Sequence, residues 1–528
     1  MRLANFYPAL VAFALAAAAS IGAWAWLGRP MPLPDVPGAR LQCLSYAPSR
    51  EDASPLDGQL VAPAGLIEAD MERLKPITGC MRTYSSLGSE GHAVAAAAAA
   101  GIKVMVGIWI GADERKNAEE IERALAIAAA HPEAVKALVV GNEVLLRREM
   151  TADRLAGIIR SVKARTPHPV TYADIFEFWR RNPALAGVVD AVTIHILPYW
   201  DDPTPVSINA VQDHVRGIVE QARTIFPDKP LQVGEIGWPS AGRTRGAAVP
   251  SLVNQARFVR EFAIQADALG IPYNIIEAVD QPWKRVPEGT VGGYWGVLDK
   301  YRKPKFAFAG PVSEWPGWRW AAAFTVAGAA LAIALALTAR PALTPARWAA
   351  TAVAGAVTAG TLAAFADQAL GFAIGVHGAL WGIYLWLLAA AGGVLVTRAA
   401  AVWRPPAAEQ LAAYRWLVLV PAVMVTLALA VDGRHRDFLT LAFALPAAAL
   451  ILGERSKRED TVADGWIGGA LAACGPLAVD SLGNREAIAW ALCCLALAYP
   501  LRGAVAAELR RLKAGLRQQQ DGSHHRHG

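Results

Sequence analysis

From residue 317 onward the chain is dominated by Ala, Leu, Val and Gly, in runs long enough to cross a bilayer. Seven spans are expected there, near 318–339, 348–366, 374–397, 415–432, 437–453, 465–481 and 486–502. An eighth apolar run, from Pro8 to Leu27, follows Arg2 and ends in AWAWLGRP. It is about 20 residues long and its small-residue cleavage pattern is poor, so it reads as an uncleaved anchor rather than a signal peptide. Between these apolar parts, residues 40–310 carry charges throughout and look like a soluble domain. The overall figures, 54% hydrophobic and 18% charged, average over the two kinds of segment. The expected organisation is an anchor and linker over 1–39, a folded domain over 40–312, a membrane domain over 313–503 and a basic tail over 504–528.

The segments between spans give an orientation. RPALTPAR (340–347) carries two arginines, the segment from Arg398 to Arg415 carries three, and GERSKRED (453–460) carries Arg455, Lys457 and Arg458. The tail adds Arg510, Arg511, Lys513, Arg517 and Arg526. The alternate turns are poorer: ADQALGF (366–372) has no basic residue, and the other two have only Arg434 with Arg436, and Arg485. Basic residues mark the cytoplasmic side, which puts the 40–312 domain outside, in agreement with the N-terminal span. The net charge of +6 falls mostly on the inner side, so it implies a membrane surface and lipid contacts rather than nucleic acid. No cytoplasmic loop exceeds about 18 residues, too short for a nucleotide-binding domain, and no G-x-x-x-x-G-K-[ST] loop is present. QLAAYRW (410–416) reads as a loop entering a span through an interfacial Trp. Of the five cysteines, Cys474, Cys493 and Cys494 read as small packing residues of the tail half; Cys43 and Cys80 lie at the first two expected strands. Outside the cytoplasm that pair has the option of a disulfide, which spacing alone does not establish.

Residues 40–310 alternate strand-like runs with amphipathic helical stretches. The expected strands are 41–47, 80–86, 102–108, 135–142, 169–175, 188–196, 230–237 and 272–280, eight beats that suit a (β/α)8 TIM barrel. The fold class is therefore α/β, a barrel followed by an α-helical polytopic membrane domain. Active sites of such barrels sit at the carboxyl ends of the strands. The fourth run ends Gly141-Asn142-Glu143 and the seventh Gly234-Glu235-Ile236-Gly237-Trp238. A glutamate at one strand end is as often an ion-pair partner as a catalyst. Two, at strands four and seven, face each other across the mouth and suit a single glycosidic bond, one as nucleophile and the other as a proton donor whose pKa must be raised. The neighbouring glycines are expected to let the rim approach a sugar closely, and Trp238 to offer it an apolar face.

At these residues the sequence resembles glycoside hydrolase family 17, the β-1,3-glucanases and their transglycosylating relatives, over about 41–310. VVGNEVL (139–145) resembles the acid/base segment and VGEIGWPS (233–240) the nucleophile segment, implying Glu143 as general acid/base beside Asn142 and Glu235 as nucleophile. IEAVDQPWK (276–284) is similar to the eighth-strand element of microbial members, often FEAFDEPWK, and MRTYSS (81–86) to the segment whose tyrosine, here Tyr84, lies beside the nucleophile. Gln281 stands where that element usually has a second acid; Glu277, Asp280 and Lys284 remain, and the change puts the ordinary substrate or product in doubt. Lys284 is read as a cleft donor. Tyr199, Trp200, Trp283 and Trp295 follow the sixth and eighth strands as sugar-stacking candidates, and each is equally well an ordinary packing residue. His195 ends the sixth strand, as a substrate contact or a hydrogen-bonded core histidine.

The resemblance implies retention of configuration. Bacterial members attached to membrane spans look like glucan-remodelling enzymes, so the expected function is β-1,3-glucan glucanosyl transfer, forming β-1,6 linkages or branches, on the outer face of a bacterial inner membrane. The implied partners are a β-glucan oligosaccharide or polysaccharide, lipid, and glucan-synthesis or export proteins; neither cofactor nor metal is required. Hydrolysis by an endo-β-1,3-glucanase and a catalytically idle glucan-binding or export component are the alternatives. Asp367, His377, Asp432 and Asp480 are the polar candidates of the apolar half, most of them near span ends. The tail GSHHRHG reads as solvated rather than metal-binding.

Overall fold

The computed structural model describes residues 2–48, 62–201, 203–338, 343–402, 408–453 and 461–524. The basic positions at Arg340, Arg404, Arg455, Lys457 and Arg458, and most of the histidine tract of the tail, lie outside the described residues. The chain divides into two units, Pro30–Ser313, and Met1–Arg29 with Glu314–Gly528.

The first unit contains a closed barrel of eight parallel strands in sequential order. They are β1 (Leu44–Ser45), β2 (Cys80–Arg82), β3 (Lys103–Ile108), β4 (Val135–Asn142), β5 (Val170–Ile175), β6 (Ala191–Ile196), β7 (Leu231–Ile236) and β8 (Tyr273–Ile275). Strands β3 to β7 match the expected runs closely. β1, β2 and β8 pair over only two or three residues; beyond them single backbone bonds continue, such as Tyr46 N–H to the Arg82 carbonyl and Ala278 N–H to the Ser45 carbonyl, and side-chain carboxylates take over after β2. After β2, the N–H groups of Tyr84 and Ser85 donate to the Glu90 carboxylate, and those of Ser86 and Trp109 to that of Glu120. These bonds satisfy backbone groups that would otherwise be orphaned next to the rim. The flanking helices have local stop and start signals. Asp113 accepts from the N–H groups of Arg115 and Lys116, Ser251 caps Leu252–Leu269, and Gly270 closes that helix at φ 59°.

The small barrel interior is filled by Cys43, Cys80, Met105, Ala137, Val139 and Ala173, and a disulfide joins Cys43 to Cys80. A two-stranded antiparallel ribbon, Pro30–Met31 with Val312–Ser313, ties the two ends of this unit together; no sequence pattern announces it.

Both glutamate-bearing strands contain one more residue than the neighbour they pair with. Val139 and Asn142 of β4 face Thr171 and Ala173 of β5, three steps against two. Ile194 and His195 of β6 face Val233 and Glu235 of β7, so Gly234 is the extra residue. Such bulges re-aim the next side chain. A Cβ on Gly234 would lie 2.4 Å from Thr193 Cγ2 and 3.0 Å from the His195 ring, and one on Gly237 would lie 2.4 Å from the Ile276 carbonyl. The two glycines thus make room for the barrel's own side chains and backbone, not for a sugar.

In the second unit a helix covers each of the seven expected spans, as well as Arg2–Leu27. Among the described residues, six helical stretches are long and apolar enough to cross a membrane: Phe6–Leu27, Trp318–Thr338, Pro345–Gly371, Gly375–Val402, Leu411–Asp432 and Arg485–Arg517. Two of the expected spans fall short. Thr440–Gly453 has 14 residues and Val462–Leu477 has 16, against the roughly 20 that a bilayer core of about 30 Å requires. Close crossings use small residues: a Cβ on Gly328 or Gly355 would come within 2.7 Å of the other's carbonyl oxygen. Trp24 donates to Thr325 Oγ1 at 2.9 Å, fastening the N-terminal helix to Trp318–Thr338. Arg415 pairs with the buried Asp464, which also closes a capping box with Thr461.

Candidate active site

Arg82, the last residue of β2, is almost fully buried, and a guanidinium so placed must find acceptors. Its Nη1 donates to the Gly234 carbonyl at 2.9 Å and to Glu235 Oε1 at 3.2 Å, and lies 3.3 Å from His195 Nε2. Its Nη2 donates to Asn142 Oδ1. One side chain therefore bridges β2, β4, β6 and β7, and it fixes the Asn142 amide with the NH2 group as its remaining donor.

Glu143 and Glu235 converge. One oxygen of each carboxylate and one ring nitrogen of His195 all lie within 4.8 Å of one another. His195 Nδ1 is 2.8 Å from Glu143 Oε1 and Nε2 is 3.8 Å from Glu235 Oε1. Glu235 is buried, while the Glu143 side chain keeps a fifth of its surface exposed. Glu143 adopts φ 54°, after Gly141 at φ 89°. A left-handed non-glycine residue is uncommon and clusters at functional sites, and here it turns the carboxylate off the end of β4. Two carboxylates and a histidine within reach of one atom are also a metal-ligand set. Arg82 already supplies the positive charge at that point, which sets it against a bound cation.

The electrostatics of Glu143 reverse the expectation of a raised pKa. Burial pushes it up, but the hydrogen bond and the electrostatic attraction of His195, followed by the positive charges of Arg82 and Arg147, outweigh burial and hold it below the usual value. The raised carboxyls are its neighbours. Asp174 of β5 is pushed up to about 6 by burial, against the hydrogen bond it accepts from Tyr172. Glu277 is pushed up to about 7 by burial in spite of Lys284 Nζ at 2.7 Å, and Glu288 is raised for the same reason. Tyr84 is raised well above the phenol range by burial and by the charge of Glu235; its ring centroid lies 5.0 Å from the Arg82 guanidinium.

Several expected substrate contacts are structural. Trp238 is fully buried, stacks on Phe258 and donates to the Val249 carbonyl at 3.0 Å, so it offers no face to a sugar. Tyr199 is equally buried, meets Trp238 and Trp295 edge to face and donates to the Arg243 carbonyl. Asp280 pairs with Lys305 Nζ at 2.9 Å and accepts from the Gly296 N–H at 2.8 Å. Gln281 donates to the Ala47 carbonyl and accepts from Trp283 Nε1, so it braces the eighth-strand loop instead of presenting a neutral group to substrate. Asn142, Tyr84, Glu277 and Lys284 stay connected to the glutamate pair directly or through charge.

Trp109 lies just past β3 and keeps more than a third of its surface exposed. Arg147 covers one side of its indole at 4.1 Å and donates to the carbonyls of Asn142 and Ile110, which ties this platform to the Glu143 turn. Neither Arg82 nor Trp109 is conspicuous in the sequence. The available signals are an arginine at the end of a short apolar run and a tryptophan at a strand end, the same kind of position that Glu143 and Glu235 occupy.

Residues 43–296 match a family model described as the BtgE/BtgC glycoside hydrolase domain. The glucan 1,3-beta-glucosidase of Arthroderma benhamiae is 28% identical over 268 residues, covering 47% of this chain and 86% of the relative. The enzyme of the same name from Saccharomyces cerevisiae is 26% identical over 267 residues, covering 46% and 83%. Among solved structures, the family 17 beta-1,3-glucanosyltransferase of Rhizomucor miehei superposes with a TM-score of 0.45 at 24% identity, covering 51% of this chain and 98% of that one. The barrel is a glycoside hydrolase domain, and the chain is an enzyme.

Proposed function

We propose that the chain is a membrane-anchored retaining enzyme acting on β-1,3-glucan, and that it transfers glucanosyl units to a sugar acceptor. The observation that carries this reading is the approach of the Glu143 and Glu235 carboxylates to within 4.8 Å across His195. Retaining glycosidases place the pair about 5–5.5 Å apart, whereas inverting ones need about 6.5–9.5 Å to admit water. Glu235, with Arg82 on one oxygen, attacks the anomeric carbon and forms a glycosyl ester while Glu143 gives its proton to the departing oxygen. Glu143, now a carboxylate, takes the proton of the acceptor hydroxyl as that oxygen displaces Glu235. The names of the fungal relatives point to β-1,3-glucan as donor. Asn142, Tyr84, Glu277 and Lys284 are the polar lining, and Trp109 an apolar platform for a pyranose face. No step requires a cofactor. The β-1,6 linkage or branch remains part of this proposal, as does a partnership with glucan-synthesis or export proteins.

The six apolar helical stretches support anchoring. The basic bias of alternate loops supports a barrel on the outer face of an inner membrane of bacterial type. The Cys43–Cys80 disulfide supports an oxidising compartment. Product analysis of the purified chain with laminari-oligosaccharides tests the reaction. Products longer than the substrate are expected, and Glu235→Gln is expected to abolish them, with a rate loss of at least about a thousandfold. Exclusively shorter products would establish hydrolysis, unchanged turnover in Glu235→Gln would refute the two-glutamate mechanism, and no turnover by the parent chain would leave the glucan-binding alternative.

A further inference from the structure

His195 is buried between both glutamates and an arginine, and its hydrogen-bond roles follow from what those partners can do. A guanidinium only donates. Arg82 Nη1 lies 3.3 Å from His195 Nε2, so a proton on Nε2 would set N–H against N–H beside a positive charge. The lone pair of Nε2 therefore faces Arg82, and the ring's single proton sits on Nδ1. At 2.8 Å from Glu143 Oε1, that N–H donates to the carboxylate. A protonated Glu143 can still accept this N–H on its carbonyl oxygen, but the bond to a carboxylate is charge-assisted and stronger, so the Nδ1 donor favours the ionised form.

We propose that His195 is a positioning residue that Arg82 holds as the neutral Nδ1–H tautomer, and that in this form it keeps Glu143 ionised in the free enzyme. This inference rests on the assignment of Glu143 as acid/base. It gives the resting site the carboxylate form that the transfer half of the cycle uses to accept a proton from the acceptor. The glycosylation half then draws on the minor protonated population, so its rate falls early as pH rises. Several other charged groups face the pair. Arg82 from β2 and Arg147 from the turn after β4 favour the ionised form, while Asp174 from β5 opposes it. Glu235 from β7 faces His195, and Glu288 from the loop after β8 acts on Glu143 through space. Among these groups, His195 is the partner whose hydrogen bond to Glu143 depends on its tautomer.

The test is the pH profile of kcat/KM for laminaritetraose with the full chain in detergent. His195→Leu keeps apolar bulk and removes the donor; its alkaline limb should move up by about one to two pH units. His195→Asn retains an N–H near the Nδ1 position, and its limb should stay where the parent's is. A merely structural histidine would lower the rate in both variants and leave the limb unmoved in His195→Leu, which would overturn the proposal. Independently of folding in the leucine variant, 15N NMR of histidine-labelled protein, assigned by the resonance lost in His195→Asn, should show Nδ1 protonated and Nε2 bare. An Nε2-protonated or doubly protonated ring would also overturn it. Glu143→Ala with azide and an activated aryl β-laminaribioside separates the underlying assignment. A β-glycosyl azide product upholds Glu143 as acid/base whatever His195 does, and its absence removes that premise.

Discussion

A single guanidinium touching Gly234, Glu235, His195 and Asn142 shows how much of this site is built by groups that do no chemistry on substrate. Lysine in its place has one charged nitrogen and no planar fork, so it cannot serve strands β4, β6 and β7 together. The aromatic residues divide in the same way between chemistry and support. Trp109→Ala should raise KM for laminari-oligosaccharides about tenfold, the equivalent of roughly 1–1.5 kcal/mol of ring contact, with little change in thermal stability. Trp238→Ala should do the reverse, lowering stability by about 3–5 kcal/mol through a cavity beside Phe258, with loss of activity only as far as folding is lost. Steady-state kinetics and thermal unfolding of the two variants distinguish these outcomes. Glu143 and Glu235 could be recognised from their strand ends and their glycine neighbours. Trp238 misled because a tryptophan after a catalytic carboxylate has the same letter whether its ring faces the cleft or the helix Leu252–Leu269. Residue identity does not carry side-chain direction; the packing around the residue does.

At the level of strands, the eight-beat alternation was legible because parallel barrel strands are continuous apolar runs, and β4 coincides with its expected range to the residue. The short strands were not, because 83–86 and 276–280 have strand-like composition but only isolated bonds to neighbouring strands, from Thr83, Ile276 and Ala278, while Tyr84–Ser86 donate to carboxylates and Glu277 and Asp280 to the loop that follows. The bulges were also hidden, since an extra residue is defined only against its partner strand. Gly234 is where the bulge and the site meet. Gly234→Ala should cost about 1–3 kcal/mol of stability, because the added methyl group displaces Thr193 or the His195 ring. If the ring moves, the alkaline limb of kcat/KM shifts with it; a variant with parent stability and parent pH profile would show that the close approach has no consequence. At two expected spans, 437–453 and 465–481, the described helices Thr440–Gly453 and Val462–Leu477 have 14 and 16 residues, because apolar composition marks a buried helix without fixing its length.

For the whole molecule, composition marks two kinds of segment, because a chain that alternates charged helices with apolar strands and a chain of Ala- and Leu-rich runs solve different burial problems. It said nothing of the ribbon that joins Pro30–Met31 to Val312–Ser313, which depends on the two ends of the barrel unit lying side by side. The disulfide was an option in the sequence and a bond in the structure, since consecutive parallel strands bring Cys43 and Cys80 to a Cα separation of 4.4 Å. The account as a whole depends on two carboxylates, 92 positions apart in the sequence (143 to 235), acting on one sugar linkage. The most direct measurement is trapping with a 2-deoxy-2-fluoro β-laminaribiosyl fluoride followed by peptide mass spectrometry. A glycosyl label on the peptide containing Glu235, slowly released when an oligosaccharide acceptor is added, is the predicted result. A label on another residue, or turnover that inverts configuration with no labelled peptide, would contradict it.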